Sequence, residues 1–540
     1  MSEHPRSKKP WSRKSPEGPW DYIVIGSGMG GMTTAAMLAK LKKRVLVLEQ
    51  HYVPGGFTHM FSRKGYTWDV GVHAVGEVTT HSLTGRLLDK LTDGKLEWAS
   101  LGEVCDAFYW PDGFRIDYPD NPTQYRQNLV DAFPDDVDAI DDYLRFVREV
   151  AGAMKGYYLA RAASPRLAPV ADRFLGHRAQ RYLDMSTADV VNELTDNPKL
   201  RAILVSQWGY YGSPPSRSSF AIQALVVKHF MWGGYYPKGG ASEIAQHLLQ
   251  TVADAGGWTR INADVDQILI EKNRAVGVVL KDGEEIRAKR VISAAGVMST
   301  VERLLPAQYK EQAWSAGIRK LDPSAAHVCL YLGFKGDIRK AGATPANKWF
   351  YDTWEMEGQI WDVQPDQETL PRAACLYCSF PSLKDPQHDP GPDVRHTGEV
   401  VTFVPWKTFE AWQDARWHNR GQDYAEFKQK IERQLLDQLF ENMPELAPML
   451  DYVELSTPVS THHFVRPMQG SIYGIEPTPE RFNNPWLRPK SPIRGLYFSG
   501  SEIATVGVVG AMMGGVLAGV AAEPIRALRY LRKINRLPGR

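Results

Sequence analysis

The chain has 540 residues, 43% of them apolar, and a formal net charge of +2, which is enough apolar material for two sizeable cores and too little basic excess to name a nucleic-acid partner. Four cysteines are too few for a disulfide framework, and the scattered histidines fall at no metal-ligand spacing. Residues 1–20 carry Arg6, Lys8, Lys9, Arg13 and Lys14 without an apolar run, so a basic flexible tail is expected there and no secretory signal.

The first folded elements are expected in "DYIVIGSGMGGMTTAAMLAKLKKRVLVLEQHYVPGGF", residues 21–57. Tyr22 to Ile25 reads as a buried parallel strand, and Gly26, Gly28 and Gly31 follow at the spacing that lets a backbone turn sharply against a pyrophosphate. A helix from Met32 to Lys40 would aim its free N–H groups and dipole at that anion. Val45 to Leu48 is the next strand. Glu49 closes it, eighteen residues after Gly31, where a carboxylate accepts hydrogen bonds from ribose hydroxyls and repels a 2′-phosphate. FAD and NAD(H) both fit this half, and NADP(H) fits poorly. Gly55 and Gly56 lie where an NAD domain would be entering its next helix.

Further along, Asp69, His73 and Glu77 share one loop, and "VDAIDDYLRFVREVAGAMKGYYLARA" reads as a helical patch. Tyr210, Tyr211, Tyr235 and Tyr473 are candidates for pocket wall or proton donation. Residues 236–296 read as a loop, a helix and several strands with a turn at Asp282-Gly283. "AAHVCLYLGF" and "EVVTFVPW" look like strands, and "DYAEFKQKIERQLLDQLFENM" like a long helix. Cys375 and Cys378 sit three apart on a strand, on opposite faces, which argues against a redox or metal pair. His462, His463 and Arg466 fall on a strand-like run suited to surface or inter-domain contacts. Leu496 to Ser499 reads as a strand, and Gly500 lets the chain come close to a cofactor. Ala504 to Ala522 is uncharged and about long enough to cross a bilayer, but its five glycines and its place after a cofactor-type turn favour a buried helix.

The segments "EQHYVPGGF", "YTWDVGVHAVGE", "GSPPSRSSFAI", "GGYYPKGGASEIA", "QGSIYGIE" and "LYFSGSEIATVGVVGAMMGG" together resemble the retinol saturase, phytoene desaturase and carotenoid isomerase family of FAD-dependent oxidoreductases, within the flavin amine oxidase superfamily. The pair Ser501-Glu502 departs from the Gln-Asp of retinol saturases but keeps the acid. The resemblance implies an α/β fold, with a Rossmann-type FAD-binding domain and an inserted mixed α+β substrate domain. FAD-binding segments are expected at 21–80, 236–310 and 490–540, the last with a C-terminal helix. Substrate segments are expected at 81–235 and 311–489. The resemblance also places Gly55-Gly56 close to the flavin nucleotide, Val265 at the adenine, Glu502 at the ribityl or pyrophosphate region, and Gly507 at a helix end facing the flavin ring.

By resemblance the chemistry is saturation or desaturation of carbon–carbon bonds in a long hydrophobic lipid, of retinoid, carotenoid or fatty-acyl type. The alternatives are flavin-assisted cis–trans isomerisation of a polyene, or non-enzymatic prenyl or lipid binding on the same fold. His73 matches the histidine of the family's DxGxH motif, and His73, Glu77, Tyr211 and Tyr235 are the candidates for proton handling. No second glycine-rich nucleotide motif is evident, which leaves transient docking of NAD(P)H, another electron carrier, oxygen or a quinone. A substrate that partitions into lipid suggests a cytoplasmic enzyme in peripheral contact with the inner or cytoplasmic membrane face, helped by basic ends and by the Arg- and aromatic-rich stretch after Met154.

Overall fold

The computed structural model describes residues 9–163 and 167–536. Its first sheet is built on Trp20–Ile25, which pairs in parallel with Val45–Leu48 on one side and Glu285–Ser293 on the other. Trp258–Arg260 extends the sheet beyond Val45–Leu48, and Leu496–Phe498 pairs with Glu285–Ser293. Val45–Leu48, Leu496–Phe498 and nearly all of Trp20–Ile25 are buried on both faces, as parallel strands covered by helices must be. Tyr22, Val24, Val45 and Val47 pack under the helices Met29–Lys40, Ser242–Asp254 and Gly507–Ala522, while Ile23, Ile25, Leu46 and Leu48 face a second core.

Three sequence expectations change. Trp11–Ser12 pairs with Trp258–Arg260 as an edge strand, so residues 1–20 are not wholly a flexible tail; residues 1–8 lie outside the described chain. Residues 462–466 are not strand: Pro458–Val465 is a helix, because proline at its start supplies the helical φ and needs no N–H partner. Arg466, at φ 55°, ends it. Finally, Met60–Arg63 and Tyr66–Asp69 form a hairpin that packs against the second sheet, where Trp68 Nε1 donates to the Leu332 carbonyl at 2.9 Å. The first cofactor segment therefore bridges the two sheets.

The uncharged C-terminal run forms Gly507–Ala522, a sixteen-residue helix lying against Met29–Lys40. A Cβ on Gly514 would stand 1.9 Å from the Gly500 carbonyl oxygen, and one on Gly515 2.5 Å from that of Gly30. Glycine is needed for this approach, which accounts for the composition. Among the described residues, no helix is long and apolar enough to cross a membrane.

The second sheet has seven strands, in the order Leu450–Ser456, Ala326–Lys335, Arg395–Val404, Cys375–Ser379, Asn347–Tyr351, Val104–Tyr109 and Arg115–Pro119. Its strands alternate cleanly. Val328, Leu330, Val400 and Val404 meet the long helix Gln422–Asn442, whereas Phe108, Trp349, Tyr377 and Phe403 turn to the helices Val137–Arg161 and Phe220–Phe230. Cys375 and Cys378 fall on opposite faces as buried free thiols.

Candidate active site

A cavity of about 700 Å³ is lined by residues of both sheets. One end is built for a nucleotide. Gly28 precedes the helix Met29–Lys40, no side chain caps that helix, and a Cβ on Gly28 would meet nothing within 4 Å. The first-turn N–H groups thus face open space, which is what an anion at a helix N-terminus requires. Gly31 stands behind this turn: a Cβ there would sit 2.1 Å from the Gly26 carbonyl oxygen, so its absence lets the helix seat on the strand. Glu49 is held by three donors. Its Oε2 accepts from Ser27 N at 2.9 Å and Ser27 Oγ at 2.5 Å, and its Oε1 accepts from His51 N at 2.8 Å. Gly55, at φ 125°, donates its N–H to the same Ser27 hydroxyl at 3.1 Å, which ties the second glycine turn to the first.

Gly56, Val265, Gly500, Glu502 and Gly507 also line this cavity. The Glu502 carboxylate accepts from the backbone N–H of Val297 and Met298, so it fastens the turn after Gly296 as well as facing the cavity. Burial raises its pKa. Together the uncapped helix start, the oriented carboxylate and the glycine turns form a donor and acceptor set that fits a flavin adenine dinucleotide.

The other end is aromatic, with Tyr210, Trp349, Tyr377, Phe403 and Tyr473 in the wall beside His73 and His327. Strand alternation supplies most of it. Glu399, Val401 and Phe403 lie two apart on one strand, as do Asn347 and Trp349, and Tyr377 and Ser379, so each pair or triple shares a face. Behind the wall stands a buried polar cluster. His73 Nδ1 is 2.8 Å from Glu399 Oε2, with the glutamate side chain 0% exposed and the imidazole 18% exposed. The Asp69 backbone N–H donates to Glu399 Oε1 at 3.1 Å. Lys384 Nζ donates to the His73 carbonyl at 2.7 Å and to Asn347 Oδ1 at 2.5 Å. Asn347 Nδ2 donates onward to Asp106 Oδ1 at 3.0 Å and to the Tyr210 hydroxyl at 2.8 Å.

Burial sets the charges in this cluster. It pushes the Glu399 carboxyl up to about 8, with Lys384 pulling the other way, and the Asp69 carboxyl up to about 7, helped by Glu399. Burial, and then the Lys384 cation, press the His73 imidazole down to about 3. Lys384 itself falls to about 8 through burial. Near neutral pH His73 is uncharged and Glu399 holds a proton.

Of the residues proposed from sequence for proton handling, only His73 faces the cavity. Glu77 pairs with Lys228 at 2.5 Å and lies 3.8 Å from His229 Nδ1. Tyr211 is fully buried in the helical core and donates to Gln223 Oε1 at 2.9 Å. Tyr235 sits on a short strand paired with Trp98–Ser100. The neighbour of Tyr211 is the wall residue: consecutive side chains diverge on the 3-10 turn Ser206–Tyr210, so Tyr210 faces the cavity and Tyr211 the core. Arg466 also lines the cavity and donates to both Asp264 oxygens at 2.7 Å. Sequence reasoning missed Glu399, Lys384, Asp106 and Asn347. An acid inside the apolar run "EVVTFV" was the one available signal.

Residues 29–522 match the family model described as flavin containing amine oxidoreductase. The chain is 34% identical over 519 residues to the all-trans-retinol 13,14-reductase of Danio rerio, covering 92% of this chain and 85% of that protein. It is 25% identical over 524 residues to prolycopene isomerase 1, chloroplastic, of an Oncidium hybrid cultivar, covering 93% and 84%. Among solved structures, cyclohexylamine oxidase from Brevibacterium oxydans IH-35A aligns with a TM-score of 0.59 at 17% identity, over 96% of this chain and 100% of that one.

Proposed function

The chain belongs to the flavin-containing amine oxidoreductase family, and from that premise we propose that it is an FAD-dependent enzyme that reduces or isomerises carbon–carbon double bonds of a hydrophobic polyene of retinoid or carotenoid type. The observation that carries this reading is the continuity of one cavity, from glycine turns and the oriented Glu49 to an aromatic wall that includes His73. Gly28, the N–H groups of the first helix turn, Glu49, Gly56 and Val265 would hold the dinucleotide, and Gly500 and Gly507 would stand beside the flavin ring. Bound FAD supplies or accepts hydride. The chain's own residues do the rest: the aromatic wall excludes water and orients the polyene, and His73 delivers or takes the proton at the carbon that hydride does not reach. The relatives named for retinol reduction and for isomerisation support both reactions, which share a reduced flavin and differ in net electron transfer.

Electrons arrive from a transiently docked carrier, NAD(P)H or another, because among the described residues the strand–turn–helix at Gly26 to Gly31 is the one glycine-rich nucleotide fold. The enzyme works in the cytoplasm, on the inner or cytoplasmic face of a membrane. Its contact is the exposed apolar group Leu159, Leu167, Val170, Phe174 and Leu175, set among Lys155, Arg173 and Arg178, whose charges suit anionic headgroups.

Cells expressing the wild type are compared, by lipid mass spectrometry, with cells expressing Gly28→Glu, which fills the space for the pyrophosphate. A shift of two mass units, or an altered retention time at equal mass, in a polyene of the wild-type cells is the expected result. Identical profiles in cells supplied with retinol and prolycopene would count against the reading.

A further inference from the structure

We propose that Glu399 is the proton store behind His73: it hands a proton to Nδ1 while Nε2 gives one to the polyene. The inference rests on the reading of His73 as the proton donor. Its basis is geometric. Glu399 Oε2 lies 2.8 Å from His73 Nδ1, within reach of proton exchange once the ring turns to align them; neither atom has a hydrogen-bond partner among the described residues, the carboxyl is 0% exposed, and the 18% of the His73 side chain that is accessible opens on the cavity that His73 lines. Oε1 is fixed by the Asp69 N–H, so Oε2 is left to face the imidazole.

The step balances without charging the ring. Bound reduced FAD would supply the hydride for one carbon; at the other, the Nε2–H bond breaks and a C–H bond forms. The Glu399 O–H bond breaks, and an N–H bond forms at Nδ1. Histidine ends neutral with its tautomer reversed and Glu399 ends as a carboxylate; a solvent proton taken up at Nε2 from the cavity, with the Nδ1 proton passing back to Glu399, restores both before the next turnover. A neutral histidine pressed well below its ordinary pKa is a poor source of a proton on its own; coupling to a protonated acid removes that difficulty. The charged or chargeable groups around Glu399 are His73, Asp69 and Lys384. Burial keeps the adjoining Cys329, Tyr236, Tyr331 and Tyr377 protonated. The ammonium of Lys384 stabilises the carboxylate as it forms.

The test uses FAD-loaded enzyme carrying Glu399→Gln, which keeps the side-chain volume and can donate to Nδ1 but cannot transfer a proton. Flavin absorbance should be retained and turnover should fall about 100-fold or more. The wild-type rate should decline as pH rises past about 8, and that limb should vanish in the variant. Nitrogen-15 NMR of His73 in the loaded wild type reads the tautomer directly: Nε2–H below that pH and Nδ1–H above it. Wild-type turnover in Glu399→Gln, or an imidazole signal unchanged across pH 8, would overturn the proposal, and the NMR arm decides even if the variant loses flavin. His73→Gln separates the two claims. If it too turns over normally, the histidine reading fails; if it is inactive while Glu399→Gln is not, only the relay fails.

Discussion

At the residue scale the buried cluster governs how the protein responds to pH. Glu399 keeps its proton in the fold up to about 8, whereas in the unfolded chain it loses it near the ordinary glutamate value of about 4.3. Between those limits the folded state binds more protons, so this group's contribution to stability is full below the lower value and is lost as pH rises through the upper one. Asp69 acts in the same direction, up to about 7. Lys384, lowered to about 8, acts oppositely above that pH, where the unfolded chain binds more protons. Glu399→Gln should therefore flatten the decline: thermal unfolding at pH 5 and pH 8 should show the variant gaining on the wild type at the higher pH. An equal gap at both would mean that Glu399 is already ionised in the fold. This cluster was barely legible in the sequence, because Asp69, Asp106, Asn347, Lys384 and Glu399 come from five separate elements that only the folded sheet brings together. Lys384, on a four-residue helix, belongs to no periodic pattern at all.

At the element scale the nucleotide half was legible, because its chemistry is local. Gly26, Gly28, Gly31 and Glu49 lie within one strand–helix–strand unit, where sequence spacing nearly dictates spatial spacing. The adjacent tyrosines 210 and 211 show the opposite case: a one-residue difference in direction on a 3-10 turn decides between wall and core, and composition gives no hint of it. The closing helix was legible as buried through its glycines, and it makes a sharp prediction. Gly514→Val puts branched carbon where even a Cβ would be 1.9 Å from the Gly500 carbonyl, so the helix must move away from the turn at Gly500, at a cost on the order of 1–3 kcal/mol or more. Purified Gly514→Val should contain little flavin and melt earlier than wild type. Full flavin content and an unchanged melting temperature would show that the helix does not press on that turn. The helix Pro458–Val465 read as strand because its apolar and polar residues fit either period over so short a run; Pro458 was the overlooked marker.

At the scale of the whole molecule, two sheets assembled from alternating stretches of chain form one cavity between a nucleotide seat and an aromatic wall. The hairpin Met60–Arg63 and Tyr66–Asp69 couples them: it begins just after the glycine pair, packs Trp68 against the second sheet, and delivers Asp69 and His73 to the polar cluster. On the outer surface, the group containing Leu167, Val170 and Phe174 is exposed to 61%, 58% and 70%, more than a solvated helix face needs. Wild-type protein should sediment with anionic liposomes at low salt, and a Leu167→Glu, Phe174→Glu double variant should stay in the supernatant with its flavin intact. Equal sedimentation of both would place any membrane contact elsewhere.

The central claim, that this cavity brings a polyene's double bond to a flavin, is tested most directly by mixing chemically reduced, FAD-loaded enzyme anaerobically with all-trans-retinol and, separately, with prolycopene. The expected outcome is either a product two mass units heavier, formed as oxidised-flavin absorbance returns in equal amount, or a product of unchanged mass and altered retention time with the flavin still reduced. A fully reduced, fully loaded enzyme that leaves both polyenes unaltered would contradict it.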